Sequence, residues 1–251
     1  MKELLQQERL FWAFPINITI QEEVREIALA LHHDKVSEKE LASAREHFVH
    51  ALNKVIDSGF EFYYQKPTEK EGNLSPIVKR TVDSVINTVR HAIHIVVQRV
   101  FKSMPIQDLK LMGYYMDSMV IPHNEKYAYL AFPINENIRS GFIDIHDKVT
   151  RSNSKENYGP ELAVIFSSIV KESTHYYYHA PTDLIKLNRI AKKAADISID
   201  GAANGIQKVI RRVIKDISHK QVKLLFNNLD VMLVSPDINC QVASPQFIPE
   251  K

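Results

Sequence analysis

Along most of this chain apolar residues recur three and four positions apart, the spacing that gathers them on one face of an α-helix. Val24, Ile27, Ala28 and Leu31 form the first such stripe. Thr19-Ile20-Gln21-Glu22 ahead of it reads as a capping box, in which the threonine hydroxyl accepts from a first-turn amide while Glu22 reaches back to the cap amide. Ser37-Glu38-Lys39-Glu40 reads as a second box. It opens a helix that buries Leu41, Ala44, Phe48, Ala51, Leu52, Val55 and Ile56 and runs into Tyr63-Tyr64 before a polar turn over 66–73. Ser75-Pro76 starts the next helix, with serine as cap and proline at the first position, where a missing N–H costs nothing. Its apolar positions, among them Val82, Val85, Ile86, Val89, Ile93, Val96, Val97 and Val100, are largely β-branched, yet their spacing and the length of the run predict a helix. Pro105 opens a shorter helix over 106–120. The rest of the chain repeats this plan: Pro160 starts a helix, Thr182-Asp183 caps a long one, and Ser218 with Gln221 makes a capping box before the last.

The repetition extends to the residues themselves. Ala13-Phe14-Pro15-Ile16-Asn17 recurs unchanged as Ala131-Phe132-Pro133-Ile134-Asn135, and Tyr63-Tyr64-Gln65-Lys66-Pro67-Thr68-Glu69 as Tyr177-Tyr178-His179-Ala180-Pro181-Thr182-Asp183. Val97-Gln98-Arg99-Val100-Phe101-Lys102 is echoed by Ile210-Arg211-Arg212-Val213-Ile214-Lys215, and Met116-Asp117-Ser118-Met119-Val120 by Leu229-Asp230-Val231-Met232-Leu233. The matches keep their order and nearly their separations, whereas chance similarities would scatter. The expectation is an all-α fold of two tandem, pseudo-two-fold related units of about four helices, arisen by internal duplication. The first unit covers 1–122, the second 123–240, and 241–251 is a tail. A linker is expected over 121–129, and pattern fades from 235 onward. Phe-Pro-Ile-Asn should be extended in both copies, because proline disfavours the α region for the residue before it.

Composition narrows the class. Hydrophobic residues at 45% and charged residues at 25% fit a chain that buries a core. Seven glycines disfavour Gly-rich nucleotide loops and many-stranded β folds. The start, Met1 to Arg9, is charged where an export signal would carry an apolar run, and the most apolar segment, 92–101, is broken by His94, Gln98 and Arg99. With a single cysteine, Cys240, the expectation is a cytoplasmic protein with no membrane association.

Candidate chemistry is weighed by whether it occurs twice. Tyr63, Tyr64, Tyr177 and Tyr178 could line a ligand pocket, stacking on a flat molecule; the plainer alternative is that they cover bundle ends. Asp83 aligns with Asp196, and Asp117 with Asp230; each could serve a ligand or pair with an aligned base such as Arg99 and Arg212. His175 and His179 stand at metal-compatible helical spacing, as do His47 with His50 and His91 with His94, but none of these pairs is matched in the other copy. The helices of the second unit carry Lys186, Arg189, Lys192, Lys193, Lys208, Arg211, Arg212, Lys215, Lys220 and Lys223, a stripe that could track phosphates; a net charge of only +2 argues instead for a solvated face. Arg212 with His219, and Arg45 with His50, fit the loose Arg-x(4 to 6)-His pattern of small helical nucleases of the HEPN type, although Ile106 stands where His219 would need its counterpart. No phosphate loop, nucleophile elbow or dinucleotide fingerprint occurs. The reading is a non-enzymatic helical binding or interaction protein without a cofactor, with a small-molecule or protein-partner site between the units. The alternatives are a metal-dependent or HEPN-like ribonuclease, or nucleic-acid binding through the basic helices.

Overall fold

The computed structural model describes residues 2–30, 37–65, 76–151, 156–215 and 217–235. They are mostly helical, but they also form a small four-stranded sheet, so the all-α expectation is corrected. A short α1 (Lys2–Leu5) precedes β1 (Phe11–Asn17), α2 (Ile18–Ala30) and α3 (Glu38–Phe60), which ends in a π-helical turn over Glu61–Gln65. Then come α4 (Pro76–Phe101), α5 (Ile106–Ser118), β2 (Val120–Pro122), β3 (Tyr127–Pro133), α6 (Glu136–Arg151) and α7 (Gly159–Thr174), which ends in a second π-helical turn over His175–His179. The chain continues through a short α8 (Ala180–Leu184), α9 (Arg189–Ile214), α10 (His219–Asn228) and β4 (Leu233–Val234). Among the described residues no helix is long and apolar enough to cross a membrane.

The sheet order is β2-β3-β1-β4, antiparallel throughout. Its register reads the same from either end. Ala13 faces Ala131, Trp12 faces Phe132, and Phe14 faces Leu130. The Ala13 N–H donates to the Met232 carbonyl and the Ala131 N–H to the Met119 carbonyl, each at 2.9 Å. Proline is tolerated in these inner strands for a local reason: β4 pairs only with Phe11 and Trp12, and β2 only with Ala128 to Leu130. Pro15 and Pro133 therefore lie beyond their outer neighbours, where no ladder N–H is needed.

Strand alternation divides the sheet's two faces. Trp12, Phe14 and Ile16 on β1, with Ala128, Leu130 and Phe132 on β3, enter the main core, which gathers residues of both halves, including Phe48, Val96 and Phe101 from the first and Phe142, Leu162 and Phe226 from the second. Ala13 and Ala131 face a small second cluster with Ile121 and Val234. The long helices α4 and α9, one from each half, pack on one another. Gly205 lies at this contact, where an added Cβ would sit 3.4 Å from Val89, an ordinary van der Waals distance.

Local signals had mixed fates. The Ser37–Glu40 and Ser218–Gln221 capping boxes form with both reciprocal bonds. Thr19 is not the cap of α2; the Asn17 side chain accepts from the Thr19 N–H at 3.0 Å and its hydroxyl at 2.9 Å. Asn135 likewise accepts from the Ile138 amide at 3.0 Å, so the repeated pentapeptide encodes a strand plus the helix cap that ends it. Thr182 does not cap the long helix but lies buried in α8, donating to the Tyr178 carbonyl; α9 begins later, capped by Asn188. The expected linker over 121–129 is a hairpin, because Ile121 and Tyr129 pair across β2 and β3. The expected polar turn over 66–73 and the tail over 241–251 lie outside the described residues.

Because one core gathers both halves, unfolding should be a single cooperative transition. In urea, Trp12 fluorescence and far-UV circular dichroism should report one midpoint. Phe48→Ala in the first half and Phe142→Ala in the second, both fully buried, should each cost about 3–5 kcal/mol and shift both signals together; two separable transitions would contradict it.

Candidate functional site

The two π-helical turns fall on the same repeated segment and set the directions of four tyrosines. A π turn adds a residue to the helical repeat and so rotates the side chains that follow, and such turns recur at functional sites. Tyr63 and Tyr177 turn inward, beneath the sheet. Trp12 stacks on Tyr63 at 5.6 Å between centroids, Phe14 meets Tyr63 edge-on at 5.6 Å and Tyr177 at 6.2 Å, and Phe132 meets Tyr177 at 5.4 Å. These rings join the two halves. The Tyr115 hydroxyl adds a further link by donating to the Tyr176 carbonyl at 2.8 Å, and burial raises that phenol to a pKa of about 12.

The hydroxyl oxygens of Tyr63 and Tyr177 are inaccessible to solvent and have no hydrogen-bond partner among the described residues. Burial pushes both phenols well above their ordinary value; for Tyr63 the neighbouring Tyr177 adds to it. Both are therefore neutral groups. Tyr64 and Tyr178 turn the other way and meet the aligned aspartates. The Tyr64 hydroxyl donates to Asp83 at 2.5 Å and the Tyr178 hydroxyl to Asp196 at 2.8 Å. Burial and then the aspartate bond hold both phenols protonated. Asp83 and Asp196 thus pair with tyrosines instead of Arg99 and Arg212, with Lys192 3.8 Å from Asp196 as a second neighbour. Asp117 accepts from Gln21 at 3.2 Å.

The remaining candidates separate. His175 is exposed with its ring against Tyr176, and His179 lies 3.6 Å from Asp200; among the described residues no group of three ligand-type side chains gathers for a metal. Arg45 is engaged by its bond to the Met104 carbonyl at 2.8 Å. His219 is turned inward beside Tyr158, with neither ring nitrogen partnered among the described residues, while Arg212 is exposed.

A surface groove lies elsewhere, between α7 and α9. It is a groove of about 610 Å³ with the buried Ala163 at its floor, the half-buried Ser167 and the exposed Pro160 and Val164 beside it, and Lys171, Arg211 and Lys215 on its rim. Next to it, a Cβ at Gly159 would overlap the carbonyl oxygens of Ile214 and Lys215, so only glycine lets the start of α7 seat on the end of α9. Among the described residues no carboxylate lies within ion-pair distance of Lys171, Arg211 or Lys215. A second indentation of about 530 Å³ on α6 contrasts with it. There the charges satisfy one another, Lys148 with Asp144 at 2.7 Å and Arg151 with Asp147 at 2.6 Å.

Two of the groove's cations, Arg211 and Lys215, belong to the basic stripe read from the sequence, but Lys171 and Ser167 do not. The signal that points to them is steric: Ala163, Ser167 and Ser168 stand where the aligned helix has Val49, Asn53 and Lys54. No known protein family matches the chain, and no curated protein or solved structure is significantly similar to it.

Two expectations test the tyrosine assignment. Tyr63→Phe removes a hydroxyl with nothing to bond and should leave stability unchanged or raise it by up to about 1 kcal/mol, whereas Tyr178→Phe, which strands Asp196, should lower it by about 1–2 kcal/mol. The raised phenol pKa values set a pH dependence. Their neutral forms are favoured in the fold, so this stability is full below the unfolded tyrosine value near 10 and is lost as pH rises toward the folded values. Urea midpoints should therefore fall steeply above pH 10, and less steeply in Tyr63→Phe/Tyr177→Phe; an equal slope in that variant would assign the titration to other groups.

Proposed function

We propose that the chain is a non-enzymatic binding protein, built from an internally duplicated helical unit, that takes a small molecule in the groove between α7 and α9. The carrying observation is the groove itself. Its volume falls within the range of small-molecule sites, its floor is apolar, and a few polar groups line its edge, the composition such sites share.

Support for duplication comes from features that occur in matched pairs: the sheet register about Ala13 and Ala131, the asparagine caps, the π turns and the Tyr–Asp bonds. In this reading Tyr63 and Tyr177 hold the halves together in the way an isologous dimer interface would. Tyr64 and Tyr178 anchor α4 and α9 through Asp83 and Asp196. The site then belongs to one half alone.

A metabolite panel followed by thermal shift and by Trp12 fluorescence tests this reading. Trp12 contacts Phe166, which precedes Ser167 on α7, so an occupant should be felt at the indole. Ala163→Trp should fill the groove and remove the response to every compound that binds the parent protein. Compounds that still bind the filled variant with unchanged affinity would place the site elsewhere.

A further inference from the structure

We infer that the α7–α9 groove selects a small amphipathic anion, an organic molecule with a carboxylate or phosphate head and an apolar body; the inference rests on the groove being the ligand seat. Three observations converge. First, Lys171, Arg211 and Lys215 border one apolar floor with no carboxylate partner among the described residues, whereas other cations nearby are paired. Lys171 on α7 and Arg211 and Lys215 at the end of α9 put the same sign on both walls of the groove, so a bound anion is attracted from either side. Second, the Ser167 hydroxyl is solvent-inaccessible and makes no hydrogen bond among the described residues. Its neighbours behave differently: Ser168 donates to the Val164 carbonyl at 3.1 Å and Thr174 to the Val170 carbonyl at 2.8 Å, the usual resort of a helical hydroxyl. Ser167 lines the groove, and rotation about its χ1 would bring this hydroxyl to an acceptor oxygen of an occupant. Third, Val164 is 67% exposed next to this edge, an apolar side chain for which a ligand's body is a better neighbour than water.

The aligned face of the first half shows what a closed version looks like. Asp57 stands where the second half has Lys171, and it lies 3.2 Å from His94, which aligns with Gln207, and 3.7 Å from Arg90. Lys54, aligned with Ser168, is drawn away to Glu23 at 3.0 Å. Charge there is balanced between helices. Asp57 against Lys171, together with Gln98 against Arg211, separates the balanced face from the cationic one.

The test is isothermal titration of the full-length protein with octanoate and octyl phosphate, with octanol and inorganic phosphate as comparators. Both octyl anions should bind one per chain, at least about tenfold more tightly than either comparator, because the head and the body contribute together. Their affinity should drop by several-fold as salt rises and screens the rim. Lys171→Asp and Arg211→Gln, which install the residues of the aligned face on exposed positions, should each weaken octanoate about tenfold or more while leaving the melting temperature of the free protein unchanged. Ser167→Ala should weaken it several-fold without lowering that temperature. If octanol binds as tightly as octanoate and Ala163→Trp removes both, the small-molecule seat stands and anion selection is overturned. Inorganic phosphate binding as well as octyl phosphate would overturn the role of the apolar body. Absence of binding by either anion, or binding insensitive to Lys171→Asp and Arg211→Gln, would overturn the inference outright.

Discussion

The antiparallel pairing of β1 with β3 is the constraint on which the rest of this structure depends. Each strand is short, and together they bring the two halves of the chain edge to edge. Closing so long a loop costs entropy, although that cost grows slowly with length. Backbone ladder bonds alone give little net return. The rings on the inner face supply the rest: Trp12, Phe14 and Phe132 pack against Tyr63, Tyr176 and Tyr177, joining strands to helices and half to half. Because each strand passes directly into a helix through an asparagine cap, the register of the sheet also fixes where α2 and α6 begin and which faces they present.

The polar groups of the tyrosine turns follow from the same packing. A segment with adjacent tyrosines at the end of a helix cannot bury both rings in one direction. The π turn sends one inward, at the cost of stranding its hydroxyl, and lets the other reach an aspartate on the following long helix. The inward hydroxyls are tolerated because their rings contribute more by burial and aromatic contact than a neutral orphan donor takes away. The aspartate-bonded pair, Tyr64 and Tyr178, ties α3 to α4 and α7 to α9. Asp108 makes a comparable link from α5, accepting from the Lys186 amide where the chain approaches α9.

Much of the helical framework was legible because it is written in local chemistry. Ser37 with Glu40 and Ser218 with Gln221 carry their capping bonds within four residues, and the apolar stripe of α4 has only one periodicity that fits its length. The sheet was not legible as a sheet. Phe-Pro-Ile-Asn could be read as extended from its proline, but its partner lies in the other half and β2 and β4 are too short to show alternation. The caps of α2 and α9 were misplaced by a few residues because Asn17 and Asn188 each compete with a nearby threonine of equal promise. Of the candidate residues, the tyrosines and aspartates stood out by recurring. Nothing in their spacing foretold that the hydroxyl of one would bond the carboxylate of the other, which depends on the π turn. The groove escaped notice because it is made by what α7 lacks, small residues at Ala163 and Ser167, and by a charge, Lys171, that gains meaning only once α9 lies beside it.

Two costs that are ordinarily kept apart coincide in that groove. Open space above an apolar floor forfeits dispersion contacts, since atoms there have partners on one side only. Among the described residues the cations on its two walls have no carboxylate partner, and water and salt screen them without filling the floor. Elsewhere on the surface the chain resolves such tension internally, as on α6, where Lys148 and Arg151 meet carboxylates one turn away. The first half resolves it too, with Asp57 set between Arg90 and His94. The occupant we infer, apolar at one end and anionic at the other, would meet both at Ala163, Ser167, Lys171 and Arg211. A neutral apolar molecule would leave the rim unbalanced, and a simple ion would leave the floor bare.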